Sequence, residues 1–144
     1  MSWRMACQGK IPIAAIGSVA GTIDTDCDSP QKLSILSING TADTRIPIAG
    51  GRSTGPYVRD TLPSIPSVLD KFRKLDACGP ATTQTAGVLA TTDNTCPEGR
   101  EIKWLVVTGL GHEWPGARPS LPMPHNAINA TDEIWKFFSD KRSL

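Results

Sequence analysis

Three short runs along the chain are largely apolar, and two longer stretches mix apolar and polar residues at helical spacing. Ile13-Ala14-Ala15-Ile16-Gly17-Ser18-Val19, closed by Ala20-Gly21, has the length and β-branching of a buried strand. Residues 33–38 (Leu33-Ser34-Ile35-Leu36-Ser37-Ile38) predict a second strand, and residues 102–107, containing Trp104-Leu105-Val106-Val107, a third. Between them, residues 64–75 carry Val68, Leu69, Phe72 and Leu75 on one stripe, with Asp70, Lys71, Arg73 and Lys74 filling the other side. Ser64 and Pro66 suit the first turn of that helix. Near the end, Asn129 or Thr131 can cap a last helix whose buried side is read as Ile134, Trp135, Phe137 and Phe138.

The remaining segments are less periodic. Residues 1–7 read as the end of a helix, and residues 80–96 are ambiguous, with 86–90 as a candidate strand. Strand, strand, helix, strand, helix is an α/β pattern, and parallel pairing of the strands is expected. The opening residues look like the interior of a domain, and three strands with helices leave an open sheet edge uncovered. The chain therefore reads as truncated at its N-terminus, one portion (1–144) of a single domain. No repeat or low-complexity tail interrupts it.

Composition narrows the function classes. With 144 residues the chain is long enough for one sizeable core. A formal charge of +1 and no Lys/Arg cluster argue against a nucleic-acid partner or an anionic membrane surface. No apolar run approaches the roughly 20 residues of a membrane helix, and no signal-peptide pattern opens the chain. Gly and Pro crowd residues 40–66 and 109–124, the loops that follow apolar runs, where α/β enzymes keep their chemistry.

Cys7, Cys27, Cys78 and Cys96 allow three pairings. None has Cys-x-x-Cys spacing, and two histidines are too few and too remote to suggest a zinc site, so no metal is expected. Disulfides, and with them an oxidising compartment, are favoured over buried free thiols. A bridge between Cys78 and Cys96 would contribute about 3 kcal/mol in the chain-entropy description.

The chemistry concentrates in two turns. Gly111-His112-Glu113-Trp114-Pro115-Gly116 follows the third strand, and Asn39-Gly40-Thr41-Ala42-Asp43 follows the second. An acid after one strand and a histidine in a stiff loop after a later one are two parts of a Ser-His-Asp triad. His112 is the expected base and Asp43 the expected acid. His125, in Pro122-Met123-Pro124-His125, reads as an exposed structural residue, and Asp60, Asp70 and Asp76 are weaker rivals to Asp43. A nucleophile-like match, Gly51-Arg52-Ser53-Thr54-Gly55, lacks the strand before it and the helix after it that a nucleophile elbow needs. Ser53 is accordingly read as a loop residue.

These motifs, taken together, resemble the C-terminal half of secreted polyhydroxybutyrate depolymerase-like and feruloyl or acetyl-xylan esterase-like α/β-hydrolases. The resemblance rests on Met5-Ala6-Cys7, Val19-Ala20-Gly21, the Asn39–Asp43 turn with Ile46-Pro47 and Gly50-Gly51, Cys78-Gly79, Cys96, the His112 loop, and Ile134-Trp135-Phe137-Phe138. It implies a partial α/β-hydrolase fold with a mostly parallel sheet, lacking its N-terminal strands and nucleophile elbow. It implies Asp43 and His112 as catalytic residues, Trp114 as a wall of the substrate site, and Cys78 paired with Cys96, with Cys7 and Cys27 as a second pair. The family writes histidine where this chain has Asn39, and its serine would fall before residue 1.

The implied activity is carboxylic-ester hydrolysis through an acyl-serine, on an ester-bearing polymer or a small acyl or feruloyl ester. No cofactor is implied, and the location would be extracellular or periplasmic. A non-catalytic polymer- or glycan-binding accessory protein is the alternative. Two glycosylation sequons, at Asn39 and Asn129, are discounted because one abuts the acid and the other caps a helix.

Overall fold

Among the described residues, five strands form one mixed sheet flanked by three α-helices. The computed structural model describes residues 1–56, 61–139 and 141. In chain order the elements are α1 (Ser2–Gln8), β1 (Ala15–Val19), β2 (Ser34–Gly40), α2 (Ile65–Leu75), β3 (Thr82–Ala86), β4 (Leu89–Thr95), β5 (Glu101–Val107) and α3 (Ala130–Phe138). β1 pairs with β2, and β2 with β5, in parallel. β5 pairs with β4, and β4 with β3, antiparallel.

That arrangement corrects the expected fold class. The sheet is not the mostly parallel sheet of an α/β-hydrolase, because half of its pairings run antiparallel. The cause lies in residues 82–95, which read as an ambiguous stretch but form a hairpin. Thr82, Thr83, Thr85, Thr91, Thr92 and Thr95 supply β-branched side chains that favour extended backbone. Gly87, at φ +59°, occupies the first of two turn positions between Ala86 and Leu89, where a II′ hairpin turn calls for positive φ. Residues 86–90 therefore straddle the turn and are not a strand of their own. β3 is exposed throughout, as suits a short polar edge strand.

Strand alternation divides the core in two. One face of β2 presents Ile35, Ser37 and Asn39; it packs with Ile16 and Ile102 against Trp3, Ala6 and Cys7 of α1 and Ile65, Val68, Leu69 and Phe72 of α2. The rings of Trp3 and Phe72 lie 5.8 Å apart between the two helices. On the other face, Leu36, Ile38 and Leu105 pack against Ala130 and Phe137 of α3. Covered on both sides, β2 is buried along its whole length, which explains its near-continuous apolar run. Gly17 of β1 leaves the space in which Ile134 of α3 sits.

The buried side of α3 differs from the expected one. Phe137 is 6% exposed and Ile134 is partly buried against the sheet, but Trp135 is 77% exposed and Phe138 lies at the surface. Ala130, Ile134 and Phe137 follow the i, i+4, i+7 spacing of one helix face, which turns Trp135 about 100° away toward solvent. Asn129 is the cap, its side chain accepting from the N–H groups of Thr131 and Asp132. Asn129→Ala should cost about 1 kcal/mol. Thermal unfolding should show this as a midpoint lowered by roughly 2–4 °C.

Cys7 is bonded to Cys27, tying α1 to the β1–β2 connection, and Cys78 to Cys96, tying the end of α2 to the end of β4. Both disulfides fit an oxidising environment. Beside the second, the Arg100 guanidinium grips both oxygens of buried Asp76 at 2.9 and 2.7 Å and also pairs with Glu98. Those bonds, to Asp76 first, raise Arg100 above its ordinary pKa. Among the described residues, no helix is long and apolar enough to cross a membrane.

Candidate active site

β2 and β5 are parallel neighbours with Gly40 opposite Val107, so the loops that follow them leave the sheet at the same edge. Backbone bonds then zip the loops together. Thr41 N–H donates to the Val107 carbonyl at 3.1 Å, Ala42 N–H to the Leu110 carbonyl at 2.9 Å, and Gly109 N–H to the Thr41 hydroxyl at 2.9 Å. The approach is so close that a Cβ on Gly40 would stand 2.1 Å from the Leu110 carbonyl oxygen.

This junction sets Asp43 against His112. The Asp43 side chain is fully buried, and its Oδ1 accepts from the backbone N–H groups of Arg45 and Ile46 at 2.8 and 2.9 Å. With that oxygen held, Oδ2 faces His112 Nδ1 at 2.9 Å. A carboxylate offers only lone pairs, so the imidazole donates from Nδ1 and presents Nε2 as a proton acceptor. The His112 side chain is 35% exposed, and its hydrogen bond to Asp43 is its only side-chain bond among the described residues. A buried, doubly anchored acid behind a part-exposed imidazole can hold one tautomer and stabilise the imidazolium form.

The other candidate residues occupy different environments. The Ser53 hydroxyl donates to the Arg45 carbonyl at 2.6 Å and accepts from Gly55 N–H at 2.9 Å, so it is committed to its own turn. Asp70 pairs with Arg73 and Asp76 with Arg100, while Asp60 lies outside the described residues. Trp114 is 46% exposed, and its indole N–H donates to the Thr131 hydroxyl at 3.2 Å, anchoring the ring to α3. Asn39 is buried and turned toward Ser37 and Trp104, whose hydroxyl and indole N–H both donate to its Oδ1. It makes no hydrogen bond to Asp43. Asp76, Cys78 and Cys96 cluster closely enough to suggest a cation site, but both cysteines are in a disulfide and Arg100 occupies both carboxylate oxygens.

His125, read as an exposed structural residue, has a part-exposed side chain with a partner of its own. Its Nδ1 lies 2.8 Å from Glu113 Oε1, forming a second imidazole–carboxylate pair immediately beside the first. Gly116 N–H donates to the His125 carbonyl and Ala130 N–H to the Pro115 carbonyl, so the His112 loop is laced to the segment before α3. Sequence patterning gives no sign of this pair, because neither residue lies in a periodic element.

No protein-family model matches the chain, and no curated protein matches it significantly. The family resemblance is carried by its motifs alone.

Proposed function

We propose that Asp43 and His112 are the acid and base of an ester-hydrolysing Ser-His-Asp site. The observation that carries this reading is the 2.9 Å contact between the buried Asp43 carboxylate and His112 Nδ1. The nucleophile is proposed to be a serine outside residues 1–144, because Ser53 is engaged elsewhere. In the complete site, His112 Nε2 takes the serine hydroxyl proton as the oxygen attacks the ester carbonyl carbon. The bond to the leaving alkoxide then breaks, and His112 returns the proton to that oxygen. Water repeats the sequence on the acyl-serine and releases the acid. No cofactor enters the scheme. The proposed substrates are polyhydroxyalkanoate polyesters, feruloylated or acetylated xylan, and small acyl esters. The proposed location is extracellular or periplasmic, in keeping with the two disulfides.

One observation favours the second reading, a polymer- or glycan-binding accessory protein. Trp114 and Trp135 both expose their rings, and each lies on or against the Thr131 side of α3. Residues 1–144 alone should hydrolyse p-nitrophenyl butyrate no faster than their His112→Ala variant. A chain extended upstream along its own coding sequence should be labelled by a fluorophosphonate probe, and His112→Ala should suppress the labelling. Turnover by residues 1–144 that His112→Ala abolishes would refute the external serine. An intact extended fold without labelling would favour the binding protein.

A further inference from the structure

Beside the His112 loop lies a cavity of about 320 Å³, bordered by Glu113, Trp114, Ala117, Arg118, Leu121 and His125. Trp114, Ala117 and Leu121 give it apolar walls, and three polar side chains converge on the rest. The lining is more polar than that of most small-molecule sites, and the volume is near the lower end of their range, enough for one ring or a short acyl unit. The charges in it are not equivalent. Glu113 already has a partner, His125 Nδ1, at 2.8 Å. Arg118 pairs with no acidic side chain among the described residues, which leaves its planar fork available to a carboxylate.

We propose that this cavity is a carboxylate subsite, in which Trp114 and Leu121 hold the body of the ligand and Arg118 pairs with its acid group. Glu113 and Trp114 directly follow His112 in the chain, so the subsite adjoins the loop that carries the candidate base. Two sources share this chemistry: a uronic-acid unit of a polysaccharide, and the acid terminus of a polyester oligomer. The subsite stands under either reading of the function, since it requires binding and no turnover.

The test is a titration of ¹⁵N-labelled residues 1–144, following the Trp114 indole N–H, which Trp114→Phe identifies. The probes are glucuronate, the 3-hydroxybutyrate dimer, and the methyl ester of each. One of the two acids should shift the Trp114 signal saturably, and the responding acid identifies the source. Its methyl ester and the Arg118→Gln variant should each bind at least about ten-fold more weakly. Glu113→Gln should tighten binding by removing a like charge, and spectra unchanged away from the cavity should show that each variant is folded. Silence of Trp114 toward both acids would overturn the proposal. So would equal binding of acid and ester, or an Arg118→Gln variant that binds as well as the parent.

Discussion

Asp43→Asn should lower fluorophosphonate labelling of the complete site by about 10⁴-fold, the magnitude seen when a triad acid is made an amide. The substitution is nearly isosteric, so the fold should survive. Two backbone N–H groups, from Arg45 and Ile46, demand an acceptor at the Oδ1 position. The asparagine oxygen must therefore take that position, leaving its NH₂ facing His112. An NH₂ group donates, so His112 Nδ1 becomes the acceptor and the ring proton moves to Nε2. An imidazole protonated there cannot take a proton from serine. The tautomer switch is directly observable in residues 1–144 by long-range ¹H–¹⁵N correlation of His112. The parent should carry its proton on Nδ1, and the variant on Nε2. An unchanged tautomer would show that Asp43 does not govern the imidazole.

Gly40→Ala should destabilise the fold by more than about 3 kcal/mol, because the new methyl overlaps a backbone atom that cannot rotate away. The Leu110 oxygen, 2.1 Å from where that methyl would stand, also accepts from Ala42 N–H. Moving that oxygen breaks the bond that holds the acid loop to the histidine loop. Thermal unfolding should show a midpoint lowered by at least roughly 6–12 °C. The Asp43–His112 bond should weaken in parallel, visible as loss of the protected Nδ1 proton. Gly111→Ala is the control: its Cβ would meet nothing within 4 Å, and stability should change by less than about 0.5 kcal/mol. Equal effects at the two glycines would show that close approach at Gly40 is not what sets the loops.

The parts of the fold legible in the sequence are those where burial is two-sided or strictly periodic. β1, β2 and β5 stand out as apolar runs because helices cover β2 from both faces, and α2 stands out by its stripe. The β3–β4 hairpin is illegible for the opposite reason. β3 is exposed throughout and β4 is only partly buried, so neither alternation nor an apolar run marks them, and only the threonines and Gly87 signal their presence. Without that hairpin the sheet looks parallel. Trp135 is misplaced when apolar residues are grouped by proximity along α3 and not by their angle around its axis. At the site, Asp43 and His112 are legible from their positions just past apolar strands. Glu113 and His125 meet through the packing of two irregular loops, which leaves no trace in local patterning.

The interior position of β5 also joins a local pairing to a distant one. The β3–β4 hairpin is local and can close within microseconds, and β5 follows β4 after one short turn. Pairing of β5 with β2 closes a far larger loop, and Asp43 and His112 are 69 positions apart. Acid and base thus meet only when a loop of 69 positions closes, far more chain than the turn that closes the hairpin. A partly folded chain can hold its hairpin and β5 while its two catalytic candidates have yet to meet.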